Sequence, residues 1–274
     1  VRGPEISRRP GEIIEEVGRL AADGVVEVTL LGQNVNSYGR DLGVDGRRRP
    51  VFADLLRRVG EVPGIRRVRF TSPHPKDMRE DVPRAMAETP AVCEHLHLPL
   101  QSGSARVLRA MQRGYTPRRF LERLAMMRDG VPGLAVTTDV IVGFPGETEA
   151  DFRATLEVME EAGFDGAFMF VYSPRPGTPA AAWEGQVDPA VSAERFARLA
   201  DLQQRLSLAS NQEMVGKTVE VLTEGPSRKD PAMAAARTRT GKVVHVPGEF
   251  PAGTFLQARL DRAAPSHLMG TVAS

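Results

Sequence analysis

The sequence predicts an α/β barrel built on a parallel sheet, followed by a small antiparallel β-barrel. Over the first three quarters of the chain, apolar stretches with helical spacing alternate with short β-branched stretches, the pattern of repeated strand–helix units. Beyond that part, short alternating strands are separated by Gly and Pro, which is typical of a small all-β domain. We therefore expect two domains, residues 1–211 and residues 212–274.

Five strands are expected in the first domain, with functional loops at their carboxyl ends, as in other parallel barrels. In chain order they are Val25–Leu31, Ile65–Thr71, Glu94–Leu98, Leu134–Val142 and Asp165–Tyr172. Helical stripes separate them, and the segment Pro189–Glu213 has the spacing of a connecting helix. In the second domain the expected strands are Thr218–Leu222, Lys242–Val246 and Thr254–Leu260.

The stretch LAVTTDVIVGFPGET, residues 134–148, organises the first domain. A buried strand runs into a glycine-punctuated loop, and Thr148 with Asp151 three residues later predicts a capped helix start. The backbone N–H groups of such a start suit an anionic or polar ligand. Gly143 and Gly146 have no Cβ, which lets a ligand approach the main chain. The pattern also fits an ordinary strand–turn–helix unit of a barrel.

Composition limits the possible functions. The chain has 36 Lys and Arg against 35 Asp and Glu, a formal net charge of +1, so it is not an indiscriminate polycation. Arginine clusters at 47–49, 66–69 and 118–119 can still form local basic patches. The sequence has no apolar run of about 18–20 residues and no hydrophobic signal core, so we expect no membrane span and a cytoplasmic location.

Cysteine and histidine usage bears on metal chemistry. The single cysteine, Cys93, excludes a disulfide framework and any multi-cysteine iron–sulfur site made by this chain alone. Alternation after Cys93 places His95 and His97 on one face of a strand. Such a pair suits a metal-dependent barrel hydrolase, but the sequence offers no further ligand set, so hydrogen bonding within the core is the favoured interpretation. We expect no metal site.

Six loop motifs resemble the radical-SAM methylthiotransferases, the MiaB type in particular. In order they are LLGQNVNSYG, RFTSPHP, HLHLPLQSGS, MQRGYT, TTDVIVGFPGET and FVYSPRPGTPAA. The resemblance implies a partial (βα)6 barrel that lacks its first strand and binds S-adenosylmethionine across its strand ends. It also implies that the small C-terminal barrel is a TRAM domain, an RNA-binding module.

The resemblance assigns roles to eight positions around S-adenosylmethionine. Gln33 and Asn34 would hold the methionyl amino group, and Gly143, Phe144 and Glu147 would border the adenine. The ribose and carboxylate would lie along Ser72, Gln101 and Ser102. Two 4Fe-4S clusters are also implied, but this sequence contains neither their CxxxCxxC loop nor their other cysteines. We therefore expect the chain to start just after that loop and to be inactive alone.

The expected partner is tRNA, through its anticodon stem-loop. A basic segment of the small barrel would contact phosphates through Arg228, Lys229, Arg237, Arg239 and Lys242. The full enzyme would methylthiolate C2 of an isopentenylated adenosine beside the anticodon, using S-adenosylmethionine as radical source and as methyl donor. Two alternatives remain open at this point: methylthiolation of a ribosomal-protein aspartate, and a non-catalytic RNA-binding protein with a barrel scaffold.

Overall fold

A computed structural model describes residues 6–43 and 50–273, so the predicted arginine cluster 47–49 lies outside the described residues. The helices are α1 (Pro10–Ala22), α2 (Phe52–Gly60), α3 (Asp81–Glu88), α4 (Ala105–Ala110), α5 (Pro117–Gly130), α6 (Glu149–Ala162) and α7 (Pro189–Gln212). The strands are β1 (Glu27–Leu30), β2 (Arg67–Phe70), β3 (His95–His97), β4 (Ala135–Val142), β5 (Gly166–Val171), β6 (Thr218–Pro226), β7 (Met233–Thr238), β8 (Val243–Pro247), β9 (Phe255–Ala263) and β10 (Leu268–Val272).

Strands β1 to β5 are parallel and follow one another in chain order. Pairs β1–β2, β3–β4 and β4–β5 have regular parallel registers, and an isolated bridge between Val68 and Val92 joins the two groups. This confirms the predicted α/β class and the predicted strand order. Among the described residues β1 pairs with β2 alone, so its other edge carries no strand.

The helices cover one side of these strands because every second strand residue is apolar. On β4, Val136, Val140 and Val142 are fully buried against the helix layer, whereas Thr137, Asp139 and Ile141 face the other way. The main core cluster is assembled from these strand residues and from the apolar stripes of α2, α3, α5, α6 and α7. No helix in the described ranges has the length and apolar character to cross a bilayer.

Local sequence signals explain where the helices begin. The Thr148 hydroxyl accepts from the backbone N–H of Asp151, and the Asp151 carboxylate accepts from that of Thr148, which makes the predicted capping box of α6. Ser104 and Thr116 cap α4 and α5, and Pro117 occupies the first turn of α5. These caps fix the loops that precede them at the carboxyl ends of the strands.

The C-terminal strands close into a five-stranded barrel in the order β10–β8–β7–β6–β9. The three predicted strands are β6, β8 and β9, while β7 and β10 were not predicted. Strand β7 lies inside the segment interpreted as a basic loop, and its inward side chains are Ala234 and Ala236. Alanine gives only a weak apolar signal, and Gly270 interrupts β10, so neither strand stands out by periodicity.

The small barrel packs against the N-terminal ends of the parallel strands, opposite the functional loops. Arg67, the first residue of β2, donates to the backbone carbonyls of Arg237 and Glu220 at 2.8 and 3.1 Å. Glu94, immediately before β3, accepts from Arg239. Lys242 donates to Asp165, immediately before β5, at 2.8 Å. The predicted 66–69 cluster thus contributes to a domain interface.

Candidate functional site

Four loops converge at the carboxyl ends of β1 to β4. The loop after β1 is hydrogen-bonded to the loop after β2, because Val35 N donates to Ser72 O at 3.3 Å and the Asn36 side chain bonds both backbone groups of His74. Beyond β3, Gln101 forms an isolated parallel β-bridge with β4, and its backbone N–H donates to Asp139 O at 2.7 Å. The strand order alone therefore brings the predicted loops together.

Asp77 is the polar centre of the first two loops. Its carboxylate accepts from Asn34 Nδ2 at 2.8 Å, from Ser37 Oγ at 3.0 Å and from Arg40 at 3.0 Å. Burial opposes ionisation of this carboxyl, but the three hydrogen bonds outweigh it and hold its pKa below the usual range. Asp77 was not singled out from the sequence, because a lone carboxylate after a proline-rich turn carries no periodic signal.

The side-chain oxygen of Asn34 accepts no hydrogen bond from the described residues. Its Nδ2 is used by Asp77, while its Oδ1 is buried and has no hydrogen-bond partner among the described residues. Leaving a buried acceptor unpaired costs free energy, so this atom suits a ligand N–H group. A cavity of about 910 Å³ borders Gln33 and Asn34, between the β1 loop and helix α1.

Two predicted site residues hold strained backbone conformations. Ser72 and Gln101 have φ values of +58° and +67°, a left-handed region that residues other than Gly, Asn and Asp rarely adopt. Each lies in the loop that follows a strand, Ser72 after β2 and Gln101 after β3, at the edge where the loops meet. Such outliers cluster at ligand sites because the surrounding structure must impose them.

The loop after β4 is braced from behind by a buried ion pair. Glu147 and Arg195 are each 5% exposed, and Arg195 donates to Glu147 Oε2 at 2.9 Å. The same oxygen accepts from Gly143 N at 2.8 Å. Burial raises the pKa of Glu147, and the two donors only partly oppose this rise. Oε2 therefore helps to hold the loop, whereas Oε1 is buried without a hydrogen-bond partner among the described residues. The expected position of Glu147 beside an adenine stays a prediction.

Gly143 has a left-handed backbone, with a φ of +74°, and packs against helix α7. A Cβ added to Gly143 would meet Ser192 Oγ at 2.4 Å, so helix α7 fills the space on that side of the residue. Gly146 has open space, with Arg106 the nearest atom at 3.8 Å. Between them Phe144 is buried by edge-to-face contacts with Tyr172 and Trp183.

Ser102 is fully buried and its hydroxyl is used by the fold. It accepts from Ser104 N at 3.1 Å and shares a hydrogen bond with Thr155 Oγ1 at 3.3 Å. The next residue, Gly103, touches the backbone of α6, where an added Cβ would lie 2.4 Å from Ala154 O. Ser102 therefore joins the loop to α6, and its expected contact with a ribose stays a prediction.

The structure divides the five predicted RNA-binding residues into three groups. Arg239 donates to both carboxylate oxygens of Glu94 and to two backbone carbonyls, and Lys242 pairs with Asp165 and also donates to Ser210 and Asn211. These two cations hold the domains together. Arg237 pairs with Glu224 within the small barrel. Arg228 and Lys229 are exposed.

His95 and His97 have hydrogen-bond partners on β4. Nδ1 of His97 lies 3.0 Å from Thr137 Oγ1 and its Nε2 lies 3.3 Å from Asp139 Oδ1, while His95 Nε2 lies 3.3 Å from Thr137 Oγ1. Within residues 6–43 and 50–273, no three His, Cys, Asp or Glu side chains come together as a metal site. The hydrogen-bonded interpretation of this pair is confirmed.

His95 makes stability depend on pH. Burial lowers the pKa of His95 from 6.5 to about 4, so the unfolded chain takes up a proton on this residue where the folded chain does not. The free energy of unfolding should therefore fall as the pH drops from about 6.5 to 4, by roughly 3 kcal/mol at most from this residue. Urea unfolding at several pH values checks this. A His95→Gln variant should lose that part of the dependence, and an unchanged profile contradicts the assignment.

The chain belongs to the radical SAM superfamily, whose family model matches residues 1–159. A TRAM domain model matches residues 212–273. The fold agrees with that of coproporphyrinogen III oxidase from Escherichia coli, a radical SAM enzyme, with a TM-score of 0.52 over 93% of this chain and 62% of that protein at 12% identity. A radical SAM methyltransferase from Kitasatospora setae gives a TM-score of 0.50 over 64% of this chain and 33% of that one, at 18% identity.

Three similar curated proteins are named tRNA-2-methylthio-N(6)-dimethylallyladenosine synthase. The protein from Parafrankia sp. (strain EAN1pec) is 53% identical over 98% of this chain and 56% of its own length. Those from Frankia alni and Moorella thermoacetica are 54% and 51% identical over 98% of this chain, and 54% and 60% of their own lengths. This chain thus spans about half the length of the relatives it matches.

Proposed function

We propose that this chain is the S-adenosylmethionine- and RNA-binding part of a tRNA methylthiotransferase that acts on dimethylallyladenosine. The observation that carries the proposal is the identity of 50% or more, over at least 98% of the chain, to proteins of that name. In this proposal residues 1–211 are the catalytic barrel, residues 212–274 bind tRNA through its anticodon stem-loop, and the protein works in the cytoplasm. The names of the relatives do not favour the ribosomal-protein alternative.

The strand-end loops fit S-adenosylmethionine, whose cleavage at an iron–sulfur cluster supplies radical chemistry and whose methyl group supplies the transferred carbon. The unpaired Oδ1 of Asn34 suits the methionyl ammonium group, with Gln33 exposed beside it. We assign Ser72 and Gln101 to the ribose and carboxylate, and Gly143 and Phe144 to the border of the adenine. In this proposal Ser102 and Glu147 hold those loops in place through hydrogen bonds within the chain.

The single cysteine of this chain does not suit a cluster. Cys93 is 1% exposed and lies at the opposite end of β3 from the loops, and burial raises the pKa of its thiol. Cluster ligands are thiolates, and three are needed for a site-differentiated 4Fe-4S cluster. In the proposed enzyme the clusters are therefore held by residues outside this chain, while this chain orients the cofactor and the RNA.

The RNA assignment is tested by the salt dependence of binding. We expect an anticodon stem-loop to bind the whole chain at low salt, with affinity that falls as salt rises. Arg228 and Lys229 are exposed. Changing both to alanine should therefore flatten the slope of log affinity against log salt concentration by about one to two units. Fluorescence titrations at four or five salt concentrations give the slopes.

Arg118→Ala provides the matched control, because Arg118 is equally exposed but lies on α5 of the larger barrel and pairs with Glu122. The slope of this variant should equal that of the unaltered chain. Equal slopes for the Arg228/Lys229 double variant and the control would remove these two residues from the RNA surface. Absence of binding at low salt would remove RNA binding from the proposed function altogether.

A further inference from the structure

The inner face of the parallel strands, defined here as the side turned away from the helices, is polar where barrels are commonly aliphatic. Barrel interiors are usually filled with layers of Val, Ile and Leu. In this protein the register places a different set on the inner face of β1 to β4: Glu27, Arg69, His95, His97, Thr137 and Asp139. A polar interior that is not filled by its own aliphatic side chains is suited to a ligand.

One end of the inner face is closed by the small barrel. The turn between β7 and β8 lies across it, where Arg69 donates to the carbonyls of Thr238 and Arg239 at 2.8 and 2.9 Å. Gly241 packs on His95, since an added Cβ would lie 3.1 Å from the ring. The small barrel therefore covers the inner face at the N-terminal ends of the strands. Access is from the carboxyl ends, where the proposed cofactor loops lie.

Two large aromatic side chains stand exposed on this face. Phe168 and Phe170 of β5 are 61% and 50% exposed, and the register pairs them with Asp139 and Ile141 of β4. The His97 ring meets Phe168 edge-to-face at 5.8 Å and also contacts the Asp139 carboxylate. Exposed aromatic rings next to a hydrogen-bonding carboxylate offer a stacking surface with a polar edge.

We propose that this patch, formed by Phe168, Phe170, Asp139 and His97, is where the purine base of the substrate RNA binds. The base stacks on the phenylalanine rings, its apolar N6 substituent extends over them, and the Asp139 carboxylate accepts a hydrogen bond from a base N–H. His97 is a positioning residue, because it holds Asp139 from the side opposite the ligand. This inference rests on the proposed function and names where its substrate lies.

The charge of the patch favours a base over the other parts of an RNA. A carboxylate repels a phosphate, so the sugar–phosphate chain is excluded from the neighbourhood of Asp139. Exposed phenylalanine offers nothing to the hydroxyls of a ribose, whereas every base has an aromatic face. The patch also continues directly into Ile141 and the loop after β4, which is the side where the proposed adenine border lies.

The test is a double-mutant cycle between the protein and the RNA, read by binding alone. The whole chain is titrated with an anticodon stem-loop carrying dimethylallyladenosine beside the anticodon, and with the same stem-loop lacking that base. The unaltered chain should bind the intact stem-loop about 5- to 100-fold more tightly, the range of one stacked base. Phe168→Ala should abolish this preference while leaving binding of the abasic stem-loop unchanged.

Two further variants separate stacking from general damage. Phe168→Tyr keeps an aromatic ring and should keep the preference. Val171→Ala truncates an exposed apolar residue on the other side of the same strand and should also keep it. If Phe168→Ala weakens both stem-loops equally, or the unaltered chain does not distinguish them, the inference is overturned while the RNA assignment stands. Absence of binding by either stem-loop at low salt overturns both.

Discussion

Replacing Arg67 with alanine should destabilise the protein by about 3–5 kcal/mol, the range for removing one partner of a buried charged network. Arg67 is 0% exposed, and its guanidinium donates to Arg237 O, Glu220 O and the Glu220 carboxylate. Without it two carbonyls lose this donor at the domain interface, and the Glu220 carboxylate keeps Arg66 but loses its buried arginine partner. The free energy of unfolding from urea titration, compared with that of the unaltered chain, measures the loss.

The neighbouring Arg66 is the matched control. It pairs with the same carboxylate at 2.7 Å and lies over the Phe255 ring at 3.4 Å, yet its side chain is half exposed. Solvent screens such pairs, so Arg66→Ala should cost about 1 kcal/mol or less. If the two variants lose similar stability, burial is not what gives the Arg67 network its strength.

Replacing Arg195 with alanine should cost a similar amount, about 3–5 kcal/mol at neutral pH, because it leaves the Glu147 carboxylate buried without its cation. The loss should shrink as the pH is lowered. Burial already raises the pKa of Glu147, and removing Arg195 raises it further, so the folded variant binds a proton more readily than the unfolded chain. With more protons bound in the folded state, the free energy of unfolding rises as the pH falls.

Urea titrations at neutral and mildly acidic pH test this second expectation. Arg198→Ala, three residues further along α7 with a side chain that is 37% exposed against 5% for Arg195, should cost about 1 kcal/mol or less at both pH values. Combining Arg195→Ala with Glu147→Gln should recover part of the stability at neutral pH, since no uncompensated charge remains. A loss in Arg195→Ala that does not vary with pH would contradict the role given to Glu147.

The fold was largely predictable because its signals are local. Strand alternation, the capping box at Thr148 and Asp151, and the glycine loop after β4 can all be identified along the chain. The contacts that could not be predicted are between residues far apart in sequence. Arg239 pairs with Glu94, 145 positions away, and Lys242 pairs with Asp165, 77 positions away. Nothing near either cation in sequence indicates that it joins the two domains.

The loops of the candidate site could be predicted from the sequence, but the contacts of the individual side chains in those loops could not. The sequence places Ser102, Glu147 and Asn34 among the site residues alike. Only the packing shows that the Ser102 hydroxyl bonds Thr155 and that Oε2 of Glu147 pairs with Arg195. It also shows that Oδ1 of Asn34 and Oε1 of Glu147 are buried without a partner among the described residues. Asp139 did carry a usable signal, as a carboxylate inside an otherwise apolar strand, but its neighbours on the inner face depend on strand register.

The position of the small barrel sets a minimum size for an RNA that engages both ends of the molecule. The eight residues of β4 span about 26 Å at the usual rise of a strand, and the small barrel lies beyond its N-terminal end. A single nucleoside is much shorter than this span. Under the proposed function the two domains therefore favour a nucleotide carried on a longer RNA, which can contact both ends of the molecule.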